Sequence, residues 1–116
     1  MIRRPSAVRI FLCTRSTDLR KSFDGLSGLV QECFDQELLT GHLFLFLNRR
    51  RDRIKILYFD RDGLAIWYKR LESGSFQLPD AVAQDGVELQ PAQLAMLLSG
   101  IDLHTARQRK RFRRPA

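Results

Sequence analysis

This chain is poor in the residues that build metal and covalent sites. Its 116 residues include two histidines, His42 and His104, and two cysteines, Cys13 and Cys33. No His-X-X-X-His or His-hydrophobic-His pair exists, and nineteen residues separate the cysteines with no adjacent His or Cys to complete a zinc site. The cysteines therefore read as two small buried apolar residues, kept as thiols in a reducing compartment. No segment reaches the roughly 18 uninterrupted apolar residues that cross a bilayer. The N-terminus MIRRPSAVRIFLC is basic, but its apolar run is short and Arg9 breaks it, which argues against a secretory signal and for the cytoplasm. Gly25 and Gly28 fall inside a helical pattern, so neither belongs to a glycine-rich phosphate loop between strand and helix. Helix-turn-helix, zinc-finger and zipper patterns are missing too, which removes the usual sources of base-specific recognition.

Catalytic groupings are correspondingly thin. Two-metal phosphoryl transfer needs carboxylates converging on ions roughly 4 Å apart. Asp60 and Asp62 are a candidate pair, with Asp18, Asp24 or Asp52 as a third member. Yet Asp60-Arg61-Asp62-Gly63 also has the composition of a tight turn, where aspartate bonds locally and glycine accepts φ > 0. The turn is the stronger reading. Tyr58, Tyr68 or a serine would need a placed base to act as nucleophile, and none is evident. The chain reads as a non-enzyme without metal or cofactor.

Positive charge is what the chain has in excess, and it is segregated. Residues 104–116 carry six basic and no acidic side chains; without them fourteen basic residues face thirteen acidic ones. The remainder alternates in blocks: +5 over 1–21, −4 over 22–48, +4 over 49–55 and −4 over 56–103. Such blocks place cations on defined pieces of surface, the footprint of a polyanion partner. Arg49, Arg50, Arg51, Arg53 and Lys55 form the densest block. They are the main candidate phosphate ligands, with Arg20 and Lys21, and the tail residues Arg107, Arg109, Lys110, Arg111, Arg113 and Arg114, as auxiliaries. Trp67, Tyr58 and Tyr68 could stack on bases, but aromatics in such runs more often fill a core.

Hydrophobic periodicity outlines an α+β domain. VRIFLC at Val8–Cys13 suggests an opening strand. Leu19, Phe23, Leu26, Val30, Cys33 and Phe34 recur at helical steps, predicting a helix over Asp18–Leu38 capped by Thr17 or Asp18. Ser22, Gly25 and Gly28 form a strip of small residues on it, and because glycine weakens a helix they predict that another backbone comes close. Leu43–Asn48, Arg53–Asp60 and Leu64–Leu71 read as a meander, with Ile54, Ile56 and Tyr58 facing one way and Lys55, Leu57 and Phe59 the other. Phe76–Leu78 and Val87–Leu89 are short extended pieces, and Asp80–Gly86 is an acidic loop. Pro91 begins a last helix that Gly100 should stop.

Three blocks carry a family resemblance: DLRKSFDGL at Asp18–Leu26, GHLFLFLNRRRDRIKILYFDRDGLAIWYKRLESG at Gly41–Gly74, and PAQLAMLLSGID at Pro91–Asp102. Together they resemble the small accessory protein, usually called TnpB, of insertion-sequence-66-type bacterial transposable elements. Gln90 stands where Thr or Ser is expected to cap the last helix, and Ser22 where glycine is usual. The resemblance implies a protein encoded beside a separate, larger transposase and assisting movement of the element, without a catalytic site. Element-encoded proteins, the transposase first, and DNA are the partners expected.

The expectation is one domain over residues 1–103 and a disordered basic tail over 104–116. The domain is a mostly antiparallel sheet of four or five strands, packed by one long helix on one face, with a short C-terminal helix at an edge or end. Its function is that of a non-catalytic transposition accessory factor binding nucleic acid through the basic hairpin and tail. The alternative is an adaptor that docks on the transposase without touching DNA.

Overall fold

The run Leu43–Leu47, LFLFL, has no polar side chain, and it lies at the middle of the sheet with Phe44, Leu45, Phe46 and Leu47 all buried. The computed structural model describes residues 8–78 and 85–100. In chain order they form β1 (Ile10–Cys13), α1 (Phe23–Phe34), a 3-10 turn (Leu38–Thr40), β2 (Leu43–Leu47), β3 (Arg53–Asp60), β4 (Gly63–Arg70), β5 (Gly86–Leu89) and α2 (Pro91–Ser99). The strands lie in the order β4-β3-β2-β1-β5. β1 and β2 are parallel, which requires a crossover, and α1 supplies it. All other pairings are antiparallel. The fold is thus α+β, a five-stranded, mostly antiparallel sheet with two helices.

Alternation along the strands sends side chains into two cores. On the α1 face, Phe11, Cys13, Phe44, Phe46 and Leu57 meet Leu26, Val30 and Cys33 of the helix. On the other face, Ile10, Leu12, Leu45, Leu47, Ile54 and Ile56 meet Phe76 and Leu97. The predicted division of β3 therefore holds: Ile54 and Ile56 go to one core, Leu57 to the other. Both faces are covered, however. The segment 71–78 and α2 close the side expected to be wetter, so α2 lies over a face rather than at an edge or end.

Several boundaries differ from expectation. The helix starts at Phe23, not Asp18, because Asp18 is engaged in a local turn: its Oδ1 accepts the Arg20 N–H at 3.0 Å, and the Lys21 N–H donates to its carbonyl at 3.1 Å. Ser22 takes the cap position, without a side-chain cap bond. The helix stops at Phe34 because Asp35 turns left-handed (φ 51°). Leu19 is still buried from the turn, whereas Phe23 is 43% exposed. Phe76–Leu78 is not a strand; the Phe76 N–H donates to the Arg51 carbonyl at 2.6 Å and its ring fills the second core. In the β3–β4 hairpin the residue at positive φ is Arg61 (55°), not Gly63. Pro91 and Gly100 bound α2 as predicted, and the side chain of Gln93 accepts the Gln90 N–H at 2.7 Å, so Gln90 serves as the cap residue. Residues 1–7, 79–84 and 101–116 lie outside the described residues. They hold most of the acidic loop, the domain end at 103 and the basic tail.

Two contacts between α1 and the sheet escaped the sequence. Cys13 of β1 and Cys33 of α1 are buried, as expected, but they are partners: they form a disulfide with Cα atoms 6.3 Å apart. The expected close approach at Gly25 and Gly28 does not occur. A Cβ at Gly28 would meet nothing within 4 Å, and one at Gly25 only the side chain of Lys21. The close approach is at Gly86 of β5, where a Cβ would lie 2.5 Å from the Cys33 carbonyl oxygen and 2.7 Å from Phe34 Cδ1. Replacing Gly86 by alanine should therefore destabilise the fold by about 1–3 kcal/mol, as overpacking does. Gly28→Ala, in open space, should instead stabilise it by about 0.5–1 kcal/mol through helix propensity. Urea denaturation of both variants checks the contrast.

His42, just before β2, is tied to the neighbouring strands. Its Nδ1 accepts the Arg9 N–H at 3.0 Å, and the Arg9 guanidinium pairs with Glu88 at 2.6 Å. Burial, and then the nearby Arg9 charge, hold the imidazole pKa below its usual value. The unfolded chain thus takes up a proton at about pH 6.5, before the folded one does. Stability is full above that pH and falls as the pH drops through it. Thermal melts between pH 7.5 and 5 should show this decline, and His42→Asn should flatten it.

Candidate nucleic-acid interface

β2 ends at Leu47, and the next residue, Asn48, shapes the basic tip. Its Oδ1 accepts the backbone N–H groups of Asp52 (3.1 Å) and Arg53 (3.0 Å), while its Nδ2 donates to Asp52 Oδ1 at 2.7 Å. Its own carbonyl accepts the Arg51 N–H at 3.0 Å. Asparagine suits this position because its carboxamide imitates a peptide group and closes the turn. Arg51 takes the left-handed conformation (φ 58°) that lets the chain reverse. From the other side, the Leu71 N–H donates to the Asp52 carbonyl at 2.7 Å, and the Arg51 carbonyl is held by Phe76. The tip backbone is fixed at both sides, yet none of these bonds uses an arginine side chain.

The charges follow from that frame. Arg49, Arg50, Arg51 and Arg53 are exposed. Among the described residues, Arg49, Arg50 and Arg51 make no ion pair, and the Asp52 carboxylate accepts its side-chain hydrogen bond from Asn48. An open cleft of about 740 Å³ separates the tip from the segment 16–20 and is lined by Arg20, Arg49, Arg50 and Arg53, together with Asp18 and Asp52. Thr17 positions the far wall: it is buried, and its N–H donates to the Leu47 carbonyl at 2.8 Å. Residues distant in sequence are thereby brought together where β2 ends.

The remaining predicted ligands are placed differently. Arg20 lines the cleft but is clamped on Asp18, its Nη2 lying 2.7 Å from Oδ2. Hydrogen bonds from the Arg20 side chain, and then from its backbone N–H, pull the Asp18 carboxyl down to about 2. Lys21 is exposed beside the start of α1 and does not line the cleft. Lys55 faces the α1 side of the sheet, where its Nζ donates to the Lys21 carbonyl at 2.9 Å and sits 5.1 Å from the Tyr68 ring centroid. Arg107, Arg109, Lys110, Arg111, Arg113 and Arg114 lie outside the described residues.

Asp60 and Asp62 are at the other end of the sheet. β3 begins next to Asp52 and ends at Asp60, roughly 23 Å of strand away, so neither Asp52 nor Asp18 can join them as a third ligand. Among the described residues no group of three His, Cys, Asp or Glu side chains is placed to hold a metal ion. The aromatics also depart from expectation: Trp67 and Tyr68 are 41% and 48% exposed on β4 rather than filling the core. The Tyr68 hydroxyl accepts a bond from Arg53 Nη1 at 3.3 Å, extending the basic surface along β4. Asn48 and Thr17 are the site residues that charge counting missed; an asparagine at the junction of strand and arginine run was the available signal.

Among the described residues no helix is long and apolar enough to cross a membrane. No solved structure matches the chain. Its sequence relatives include two uncharacterized proteins of Sinorhizobium fredii (strain NBRC 101917 / NGR234). It is 39% identical to y4hO over 95 residues, 82% of each chain, and 32% identical to y4jC over 115 residues, 99% of this chain and 97% of that one. The model of the IS66 Orf2-like proteins matches residues 8–108. With that match running from before β1 to past α2, the chain belongs to the IS66 Orf2-like family, the accessory proteins of insertion sequences.

Proposed function

We propose that this protein assists transposition without catalysing it, by holding nucleic acid on the arginine tip of the β2–β3 hairpin. The observation that carries the reading is the contrast at that tip: a backbone fixed by Asn48 and by the segment after β4, bearing arginines without ion pairs among the described residues. A fixed backbone presents its arginines to phosphates with less ordering cost than a mobile loop would, and each phosphate neutralised releases counterions. The tip carries no frame for reading base edges, so the contacts follow the backbone of the nucleic acid rather than its sequence. Arg53 and Arg20 extend the contact across the cleft, and the basic tail adds to it.

The other reading, an adaptor docked on the element's transposase, draws support from Asp18 and Asp52 in the same cleft. Carboxylates repel phosphate but suit a protein surface of mixed charge. In the nucleic-acid reading, duplex binding should weaken at least tenfold when Arg49, Arg50 and Arg51 are all replaced by alanine. The slope of log K against log salt should become shallower by about 0.9 for each phosphate that the variant no longer neutralises. Salt titrations on element-end and random DNA measure both quantities. Unchanged binding at low salt would remove the tip from the interface, and co-purification with the transposase that survives nuclease and high salt would favour the adaptor.

A further inference from the structure

Toward the arginine tip, β3 and β4 change from apolar to charged on the face that carries α1. Leu57 is buried there and its partner Ile66 packs on the same core. One step nearer the tip Lys55 faces Tyr68, and at the end Arg53 faces Arg70. Residues directly opposite each other in an antiparallel pair share a face, so these four make one patch. The helix leaves it open: Arg53, Tyr68 and Arg70 are exposed and Lys55 is half-buried. Trp67, the other exposed aromatic of β4, is on the opposite face and takes no part.

Two features of the patch do nothing for the fold. Arg53 and Arg70 stand directly opposite each other, a like-charge pair that weakens a sheet. Glu72 answers Arg70 at 2.9 Å, but Arg53 makes no ion pair among the described residues, and its Nη1 donates to the Tyr68 hydroxyl at 3.3 Å. The second feature is Tyr68 itself, which is 48% exposed with Lys55 Nζ lying 5.1 Å from its ring centroid. That ammonium also donates to the Lys21 carbonyl at 2.9 Å and so ties the approach to α1 to the patch. Phe23, the first residue of α1, is 43% exposed two positions further on. Cations outnumber carboxylates here: Lys21, Arg53, Lys55 and Arg70 stand against Glu72 and the first-turn Asp24.

We infer that this patch is a platform for an unpaired base: a single strand of DNA stacks a base on Tyr68, and Arg53 and Lys55 take the phosphates beside it. A duplex keeps its bases stacked on one another, whereas an unpaired base has a free π-face to offer. An exposed ring set between cations meets both parts of such a ligand, base and phosphate. Binding an anion there also relieves the Arg53–Arg70 repulsion that the fold leaves standing. Arg53 lines the cleft as well, so a strand seated on Tyr68 runs on toward Arg49 and Arg50. Stacking accepts any base, in keeping with a tip that reads no base edges. The inference rests on the reading of the tip as a nucleic-acid contact and adds the unpaired strand to its ligands.

Fluorescence anisotropy of the full chain tests it, with a labelled DNA single strand of roughly 12 nucleotides, an abasic strand of the same length and a duplex. The abasic strand carries the same phosphates, so the parent should bind the strand with bases about tenfold tighter than the abasic one. Tyr68→Ala should remove most of that difference and leave duplex affinity within about twofold; Tyr68→Phe, which keeps the ring and loses the hydroxyl, should retain the difference. The platform alone is overturned if the parent binds both single strands alike, if Tyr68→Ala keeps the difference or weakens the duplex equally, or if Tyr68→Phe behaves like Tyr68→Ala. In those cases duplex binding that depends on Arg49, Arg50 and Arg51 still upholds the tip. A parent chain that binds neither single strand nor duplex overturns both.

Discussion

A five-residue strand that is apolar on both sides imposes the architecture. Because β2 sends phenylalanines one way and leucines the other, neither face can be left to water, and each needs its own cover. α1 covers the phenylalanine side on its way from β1, and that path is what makes β1 and β2 parallel in an otherwise antiparallel sheet. The leucine side is closed by pieces that are individually weak: the irregular segment after β4, which contributes Phe76, and the nine-residue α2, which contributes Leu97. Burial of β2 is what all of them have in common.

The candidate interface stands where this buried strand ends. Leu47 closes the apolar run, its carbonyl fixes Thr17, and Asn48 converts the strand into the arginine turn. One wall of the cleft thus comes from the connection into α1 and the other from the hairpin, both referenced to the same strand end. Carboxylates on both walls moderate the field. Asp18 is clamped on Arg20, whereas Asp52, bonded to the neutral carboxamide of Asn48, keeps its charge beside the tip arginines.

The sequence made the strands, the basic block and α2 legible, because each rests on local rules: alternation, charge density, a proline start and a glycine stop. It misplaced the ends of α1, since Asp18 has two uses, capping a helix or closing a turn onto Arg20, and tertiary anchoring of Thr17 decides between them. The glycine inference had the right physics at the wrong residue: two backbones do meet closely, but the missing side chain is on β5, and a lone glycine after an acidic loop gives no sign of a helix above it. The cysteines looked independent for a similar reason, because spacing along the chain says nothing about which strand lies under which helix turn. The covered second face was hidden in Phe76, which reads as the start of a strand but acts as a plug. The cleft was invisible to charge counting, since its walls come from segments about thirty residues apart that a backbone bond to Leu47 brings together.

The bonds that hold the tip run through the backbone and one asparagine, and this separates the shape of the hairpin from its chemistry. Arg49 and Arg50 can change identity without disturbing the turn that presents them, so changes to the exposed surface of the tip and changes to its fold act on different atoms. A lineage that met a new binding surface could rewrite the tip one residue at a time while Asn48, Thr17 and the buried strand behind them stayed as they are.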